Sequence, residues 1–449
     1  MGGMKARAKR KMDMVAYNDE RHNNLNGARE NVDIARAYRY RLYPVSKRQN
    51  EIDEQIELAR LLYNRFLEEM KKAYENDKTA NPKRSFFNRT LQKLLKENKE
   101  YNRLYSQTRQ EIRDRLIKAY QNFFRRVKER KAGKRVKVGF PRFKAKGRYA
   151  SITYPQFGFS VDKERKCHML RVSKIGGMKI ELHRPIEGKI KTLTIKKEAG
   201  QYYAIFSTIS EIDPTKVGDT NPVGIDMGLE TFATLSDGRK IKKPDFARKA
   251  EKRISHWQRI VARRQKGSHR RDKAKLKLER QWQAVTNQSN DFVFKTVDGL
   301  IDSGYTSFAV EGLRIQNMLK NRRLSRSIAS ASWSRFIQVL SSKAEEAGMK
   351  VTVVDPRNTS QTCSNCGAMQ SLSLSDRTFD CDCGYHADRD INAARNILNR
   401  ATAGHAGNNA RGDPTSTLPE MAEQAGSLKR EHTLHAISTI SNVEEAHSL

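Results

Sequence analysis

No stretch of this sequence reaches the roughly 18 apolar residues that carry a helix across a bilayer, which excludes a helical membrane span. The first residues are charged and lack an apolar core, so they do not read as a secretory signal. Cysteine is scarce. Of five in 449 residues, four fall between positions 363 and 383, leaving only Cys167 elsewhere. That usage argues against a disulfide framework and for reduced thiols kept for metal. Acidic residues are also in deficit, with 51 Asp and Glu against 87 Lys and Arg, a formal charge of +36. Such an excess goes beyond solubility and answers a polyanion, either nucleic acid or an anionic membrane surface. The length allows two or three domains with cores of their own.

What is present is concentrated between Thr359 and Asn399. Cys363 and Cys366 form a C-x2-C pair, and Cys381 with Cys383 forms a second, tighter pair. Soft thiolates in two short-spaced pairs across a small loop are the donor set of a tetrahedral structural Zn²⁺. The second pair is C-x-C rather than the commoner C-x2-C, and His386, three residues after Cys383, is the alternative to Cys381 as fourth ligand. Directly behind, Asp388-Arg389-Asp390 opens a helix through Ala393, Ala394 and Leu398.

The upstream chain divides by texture. Residues 1–33 are basic and aperiodic, the composition of a loose, disordered leader. Tyr38, Tyr40 and Leu42 alternate with Arg39 and Arg41 as in a half-buried strand, which Pro44 stops. Ser46 and Gln49 have the spacing of a capping box. Ile52, Ile56, Ala59, Tyr63 and Phe66 then recur at helical spacing, opening a helical region over 47–138 that breaks near Asn81-Pro82. At Gly139 the basic, aromatic segment GFPRFK begins, with Arg142 and Lys144 as candidate nucleic-acid contacts. Short alternating runs near 151–154, 170–172, 178–182 and 193–196 follow. They predict a small antiparallel β-barrel, formed by 34–46 and 139–215, that carries the helical region as an insertion.

From about residue 216 a second, α/β domain is expected, running to 358 and resuming at 384–400. VGIDMGLETFATLSDG (223–238) reads as strand, Gly-containing turn, strand. Over 248–280 there are 14 Lys or Arg against three acids, with an apolar stripe of Ile254, Trp257, Ile260 and Val261 and a bend near Gly267-Ser268. A helical hairpin with a lopsidedly basic outer face fits that pattern. Strands near 305–310 and 350–354 are separated by a basic loop, where Lys320, Arg322, Arg323 and Arg326 are further candidate contacts, and by an amphipathic helix over 332–347. Residues 401–449 have the composition of a disordered tail.

Three acids share one description: Asp226 and Glu311 each end a strand, and Asp390 starts a helix. A single strand-end Asp is more often a turn former. Three brought together would repel one another and raise their pKa values unless divalent cations filled the site. Hard carboxylate oxygens suit Mg²⁺ or Mn²⁺, and two such ions stabilise both the attacking and the leaving oxygen of phosphodiester cleavage.

V-G-I-D-M-G-L (223–229), A-V-E-G-L (309–313) and the C-x2-C ribbon running into D-R-D-I-N-A-A-R-N-I-L occur in the order found in one family, and K-N-R-R-L-S-R-S-I (320–328) and G-F-P-R-F-K (139–144) are also similar to it. Over about residues 34–400 the chain resembles the TnpB family, insertion-sequence accessory proteins related to the compact type V CRISPR effectors. The resemblance implies a multidomain α/β protein. It would have a RuvC, RNase H-like nuclease domain split by a zinc ribbon at 359–383, and an N-terminal wedge barrel carrying a helical recognition lobe. It implies Asp226, Glu311 and Asp390 as the catalytic acids, Asp390 rather than Asp388 because it stands two residues before Asn392. It further implies a guide RNA made from the element's end, double-stranded DNA as target, and a cytoplasmic, nucleoid-associated prokaryotic setting. A nuclease-inactive RNA-guided regulator and a compact type V CRISPR effector are the alternatives, and no membrane is expected as partner. Retention of all three acids favours the enzyme. Oligomeric state, guide and target-adjacent motif are left open by the sequence.

Overall fold

The computed structural model describes residues 32–78, 80–164, 167–212, 220–313, 315–321, 325–373 and 376–406. The expected disordered leader 1–33 and tail 401–449 lie outside them, as do Arg322 and Arg323, except that 32–33 open a strand and 401–406 end a helix.

The first sheet is entirely antiparallel and has seven strands: β1 (Val32–Tyr43), β2 (Ser151–Pro155), β3 (Phe159–Glu164), β4 (Cys167–Val172), β5 (Gly176–Glu181), β6 (Lys189–Glu198) and β7 (Gln201–Ile212). Their order is β2-β6-β7-β1-β5-β4-β3. The alternation in β1 does what period-two patterning requires, turning Tyr38, Tyr40 and Leu42 inward. The strand runs beyond the expected segment because β7 pairs with it from Val32↔Ile212 to Leu42↔Tyr202. The expected barrel is not closed: the order ends at β2 and β3, and no ladder joins those two among the described residues. Helices pack against the sheet instead.

These are α1 (Ser46–Asn76), α2 (Arg84–Glu97) and α3 (Ser106–Lys131). Phe66, Phe87, Leu94 and Leu116 from them share one hydrophobic core with Tyr40, Leu170 and Phe206 of the sheet. The expected capping box does not form. Val45 is the N-cap and no side chain caps it, because Gln49 donates its backbone N–H to the Val45 carbonyl at 2.9 Å. The Gln49 side chain donates instead to the Pro44 carbonyl, also at 2.9 Å.

The second sheet has the order β10-β9-β8-β11-β12. It comprises β8 (Pro222–Asp226), β9 (Thr231–Leu235), β10 (Lys240–Lys242), β11 (Ser307–Glu311) and β12 (Lys350–Val354). β8, β11 and β12 run parallel; β9 and β10 are antiparallel. A helical hairpin, α4 (Phe246–Arg263) and α5 (His269–Ile301), links β10 to β11, with Ser268 capping α5. Of the expected stripe Ile254 is buried, packed with Ala250 and Val285. Two short helices, α6 (Ile315–Met318) and α7 (Ser325–Ala331), lead to α8 (Trp333–Glu346).

Strand alternation assigns each face of this sheet. Val223, Ile225, Phe308 and Val310 pack with Trp333, Phe336 and Leu340 of α8. The intervening Gly224 faces α9 (Arg389–Ala406), so closely that a Cβ there would lie 2.1 Å from the Ala394 carbonyl oxygen. Between β12 and α9 the chain forms a small ribbon with the hairpin β13 (Thr378–Asp380) and β14 (His386–Asp388).

Candidate active site and metal centre

Adjacent parallel strands in register bring Asp226 and Glu311 together. Ile225 of β8 pairs with Val310 of β11, so the next residue of each strand is an acid. Both acids alternate away from the α8 face and therefore point to the side covered by α9, whose first turn carries Asp390. Burial first, then the charges of Glu311 and Asp390, pushes the Asp226 carboxyl up to about 8, against the opposing Met227 N–H. Glu311, only 6% exposed, is raised by burial despite the Thr359 hydroxyl that donates to it. Asp390 is raised by burial and by Asp388.

Asp388 behaves differently. Burial opposes its ionisation but is outweighed by Lys240 and by backbone donors, so its carboxyl is held below the usual range. Its Oδ1 accepts from the N–H groups of Asp390 (3.0 Å) and Ile391 (3.3 Å), and its Oδ2 accepts from Lys240 Nζ (2.6 Å). Asp388 thus caps α9 and is neutralised, while Asp390 is presented toward the other two acids.

The four cysteines converge. Cys363 Sγ lies 3.8 Å from Cys383 Sγ, and Cys366 Sγ lies 3.6 Å from Cys381 Sγ. Among the described residues they form the one set of three or more Cys, His, Asp or Glu ligand atoms that all lie within 4.8 Å of one another. Gly367 and Gly384, at φ +80° and +82°, turn the two knuckles where a side chain would strain the backbone. The tight C-x-C pair is accommodated by bonds from Cys381 N–H to the Tyr385 carbonyl and from Gly384 N–H to the Cys381 carbonyl, both 2.9 Å. The backbone N–H of Tyr385 helps hold the Cys383 thiol down to about 6. His386 is exposed, pairs with Asp380 across the hairpin and lies outside this cluster.

Sequence reasoning missed the residues that join the two centres. Asn392 and Asn396, one turn apart on α9, are buried. The Asn392 amide donates to the Thr362 carbonyl (2.8 Å) and its oxygen accepts from Ser364 N–H (2.9 Å), inside the first knuckle. The Asn396 amide donates to the carbonyls of Thr359 (2.8 Å) and Thr362 (2.6 Å). Thr359 in turn reaches Glu311. Two asparagines at helical spacing just after the acid were the one available signal.

The candidate nucleic-acid contacts are distributed over the molecule. Arg142 is exposed. Lys144 is stapled to α1: its N–H donates to Asn64 Oδ1 (2.8 Å), and its carbonyl accepts from Arg60 (2.8 Å) and Asn64 (3.0 Å). Its Nζ sits over the Tyr63 ring. Lys320 is exposed. Arg326 falls within α7, and its side chain lies outside the described features.

The chain resembles known proteins over most of its length. Residues 205–322 match the family described as "Probable transposase" of the IS605 OrfB type, and 333–397 match the "Cas12f1-like, TNB domain". Residues 34–79 match a "Helix-turn-helix domain" of the same OrfB type, although here they form a strand and one long helix. InsQ of Escherichia coli (strain K12), which bears the name of an RNA-guided DNA endonuclease, is 30% identical over 341 residues, 72% of this chain and 78% of that protein. A TnpB-like protein of Acanthamoeba polyphaga mimivirus is 27% identical over 238 residues, 49% of this chain and 45% of that protein. The fold is that of Cas12f1 solved with its sgRNA and target DNA, at a TM-score of 0.50 and 13% identity, over 81% of this chain and 98% of that one. Matches in this order, at this coverage, leave one assignment: the chain belongs to the TnpB family.

Proposed function

We propose that this chain is an RNA-guided DNA endonuclease of a transposable element, and that its cutting depends on a divalent metal at Asp226, Glu311 and Asp390. The observation that carries the reading is the convergence of those three acids on one face of the second sheet, with Asp226 pushed up to about 8 by burial and by its two neighbours. A site that resists ionisation of its own carboxylates fits cations as their counter-charge. Mg²⁺ or Mn²⁺ held there would supply Lewis-acid stabilisation of the attacking and leaving oxygens, in the two-metal manner of RuvC-type, RNase H-like nucleases. Asp226 and Glu311 ride on rigid adjacent strands, and Thr359 fixes the Glu311 carboxylate in place. Asp388 anchors the first turn of α9 and so orients Asp390.

In this reading Cys363, Cys366, Cys381 and Cys383 hold a structural Zn²⁺. Their mutual closeness and four-sulfur chemistry support it. The ribbon at 359–383 then interrupts a nuclease domain of 216–358 and 384–400. The first sheet (34–46 and 139–215) acts as the wedge, and helices within 47–138 act as the recognition lobe that holds a guide RNA derived from the element's end. Sequence is read by guide pairing to one strand of double-stranded DNA, while the protein reads duplex shape and a short adjacent motif.

The test is to co-express the protein with the DNA that flanks its gene, sequence the RNA that copurifies, and offer the particle matched and mismatched DNA with Mg²⁺. Cutting restricted to guide-matched DNA is the expected result. Guided binding without cutting would make the protein a regulator, and absence of any copurifying RNA would remove the guide from the account.

A further inference from the structure

The helical region carries a feature that the nuclease reading does not use. Three phenylalanines are left in solvent on one side of it: Phe124 (45% exposed), Phe140 (44%) and Phe143 (49%). They are not scattered. Phe124 stacks on Tyr120 one turn back on α3, with ring centroids 6.4 Å apart. Tyr120 meets Phe140 edge-on at 5.5 Å, and Phe123 meets Phe140 at 5.3 Å. Phe143 is covered on one face by Lys71 Nζ of α1, 4.7 Å from its centroid. Over 125–144, the stretch that frames these rings, there are ten Lys or Arg and a single acid, Glu129. Exposed aromatic faces cost hydration, and a monomer has no folding reason to gather them inside its most basic segment.

Beside the rings is a cleft of about 370 Å³ between α3 and the start of α2. The exposed Phe124, with the buried Tyr120 behind it, is its aromatic side, Asn81 and Gln121 supply amides, and Lys83 and Arg84 line it at the N-terminus of α2. Arg84 is tied to Asp114 at 3.3 Å, which leaves that guanidinium partly neutralised and Lys83 the stronger cation. The combination has a defined chemistry. A flat ring stacks against aromatic carbon, amides pair with the edge of a base, and cations with helix N–H groups take a phosphate. A double helix offers no free base face, so the occupant is single-stranded.

We propose that this shelf and cleft bind an unpaired nucleotide, its base stacked on Phe124 and its phosphate at Lys83 and the start of α2, with Phe140 and Phe143 receiving the next bases. The inference rests on the nucleic-acid reading of the chain, but not on cutting. RNA and DNA share the chemistry, and they are separated by experiment.

Full-length protein, freed of copurifying RNA in high salt, is titrated with a short single-stranded RNA carrying a fluorescent aminopurine, with its DNA counterpart, and with the matching duplex. Phe124→Ala should weaken single-strand binding by about 5- to 150-fold, the range for losing one stacked base, and Phe124→Ala with Phe140→Ala by more. The salt slope should be unchanged, because no charge is removed, and Trp at both positions should restore binding. Loss on RNA alone would assign the site to the guide, loss on DNA alone to a displaced strand, and loss on both to single strands in general. Equal loss on duplex would overturn the proposal. On unaltered protein, bromouracil-substituted strands should crosslink to Phe124 or Phe140; crosslinks confined to other surfaces, with unchanged affinity of the double variant, would also overturn it. In that event guided cutting that persists would leave the nuclease reading intact, whereas a cutting defect confined to Asp226→Ala would bear only on the nuclease.

Discussion

Replacing Asp226 with Asn should make the metal-free protein more stable at high pH while removing its activity. Asp226 ends a buried strand, and its carboxyl is pushed from 3.8 to about 8 by burial and by Glu311 and Asp390. A raised carboxylate pKa means the folded state prefers the protonated form. Below about pH 4 both states hold the proton and no stability is lost. As pH rises from about 4 to 8 the unfolded chain sheds it freely and the folded chain does not, so stability falls across that window and levels off above it. A shift of roughly four units, at about 1.4 kcal/mol each, sets a ceiling of about 6 kcal/mol. Asp226 keeps some solvent contact, which screens part of that, so about 2–4 kcal/mol is expected above pH 8. At about 2–4 °C per kcal/mol for a domain of this size, the variant should melt roughly 10 °C higher than wild type at pH 9 in chelator. The gap should be small near pH 4–5. Mg²⁺ should close it by stabilising wild type more than the variant. Thermal melts of both proteins at pH 5, 7 and 9, with chelator and with Mg²⁺, decide the matter. A gap independent of pH, or a variant less stable at pH 9, would refute the reasoning.

Further predictions follow from contacts around the same sheet. Thr359→Val removes the hydroxyl that donates to buried Glu311 and should cost about 1–3 kcal/mol and most of the cutting rate, whereas Thr359→Ser should restore both; equal defects in the two variants would deny the hydroxyl its role. Gly224→Ala would press a methyl to 2.1 Å from the Ala394 carbonyl and 2.9 Å from the Leu398 N–H, displacing α9, and should lower stability by about 3 kcal/mol in denaturant titrations. Cys363→Ser should drop the zinc content and open residues 359–388 to protease, since a structural zinc site contributes on the order of 10 kcal/mol; unchanged zinc and protease resistance would exclude the four-sulfur site.

Much of the candidate site was legible because it is built from local pattern. The strand before Asp226, the strand before Glu311 and the helix after Asp388 each announce themselves by apolar periodicity, and the cysteine pairs by spacing. What the sequence could not supply was non-local. That β8 and β11 lie parallel with Ile225 opposite Val310 is a property of the sheet, and only that register makes neighbours of the two acids. The bond from Thr359 to Glu311 spans 48 positions and has no local signature. β3 escaped notice because FSVDKE is an edge strand with one partner, whose charges dilute the alternation. The closed barrel was the natural reading of short antiparallel strands, yet closure depends on a β2–β3 ladder that no local pattern encodes. The capping box failed for a smaller reason: Val45 starts the helix one residue earlier, and Gln49 turns its side chain to Pro44. That His386 faces Asp380 across the hairpin, while Cys381 lies with the other three sulfurs, was likewise a non-local feature.

The central claim is that three acids on one face of the second sheet cut DNA chosen by a guide. The most direct measurement is cleavage of guide-matched DNA by the RNA-loaded protein with Mg²⁺, beside Asp226→Ala, Glu311→Ala and Asp390→Ala particles that bind the same target equally well. Wild type should cut, and none of the three variants should. Cutting that survives loss of Asp226, Glu311 or Asp390 would contradict it.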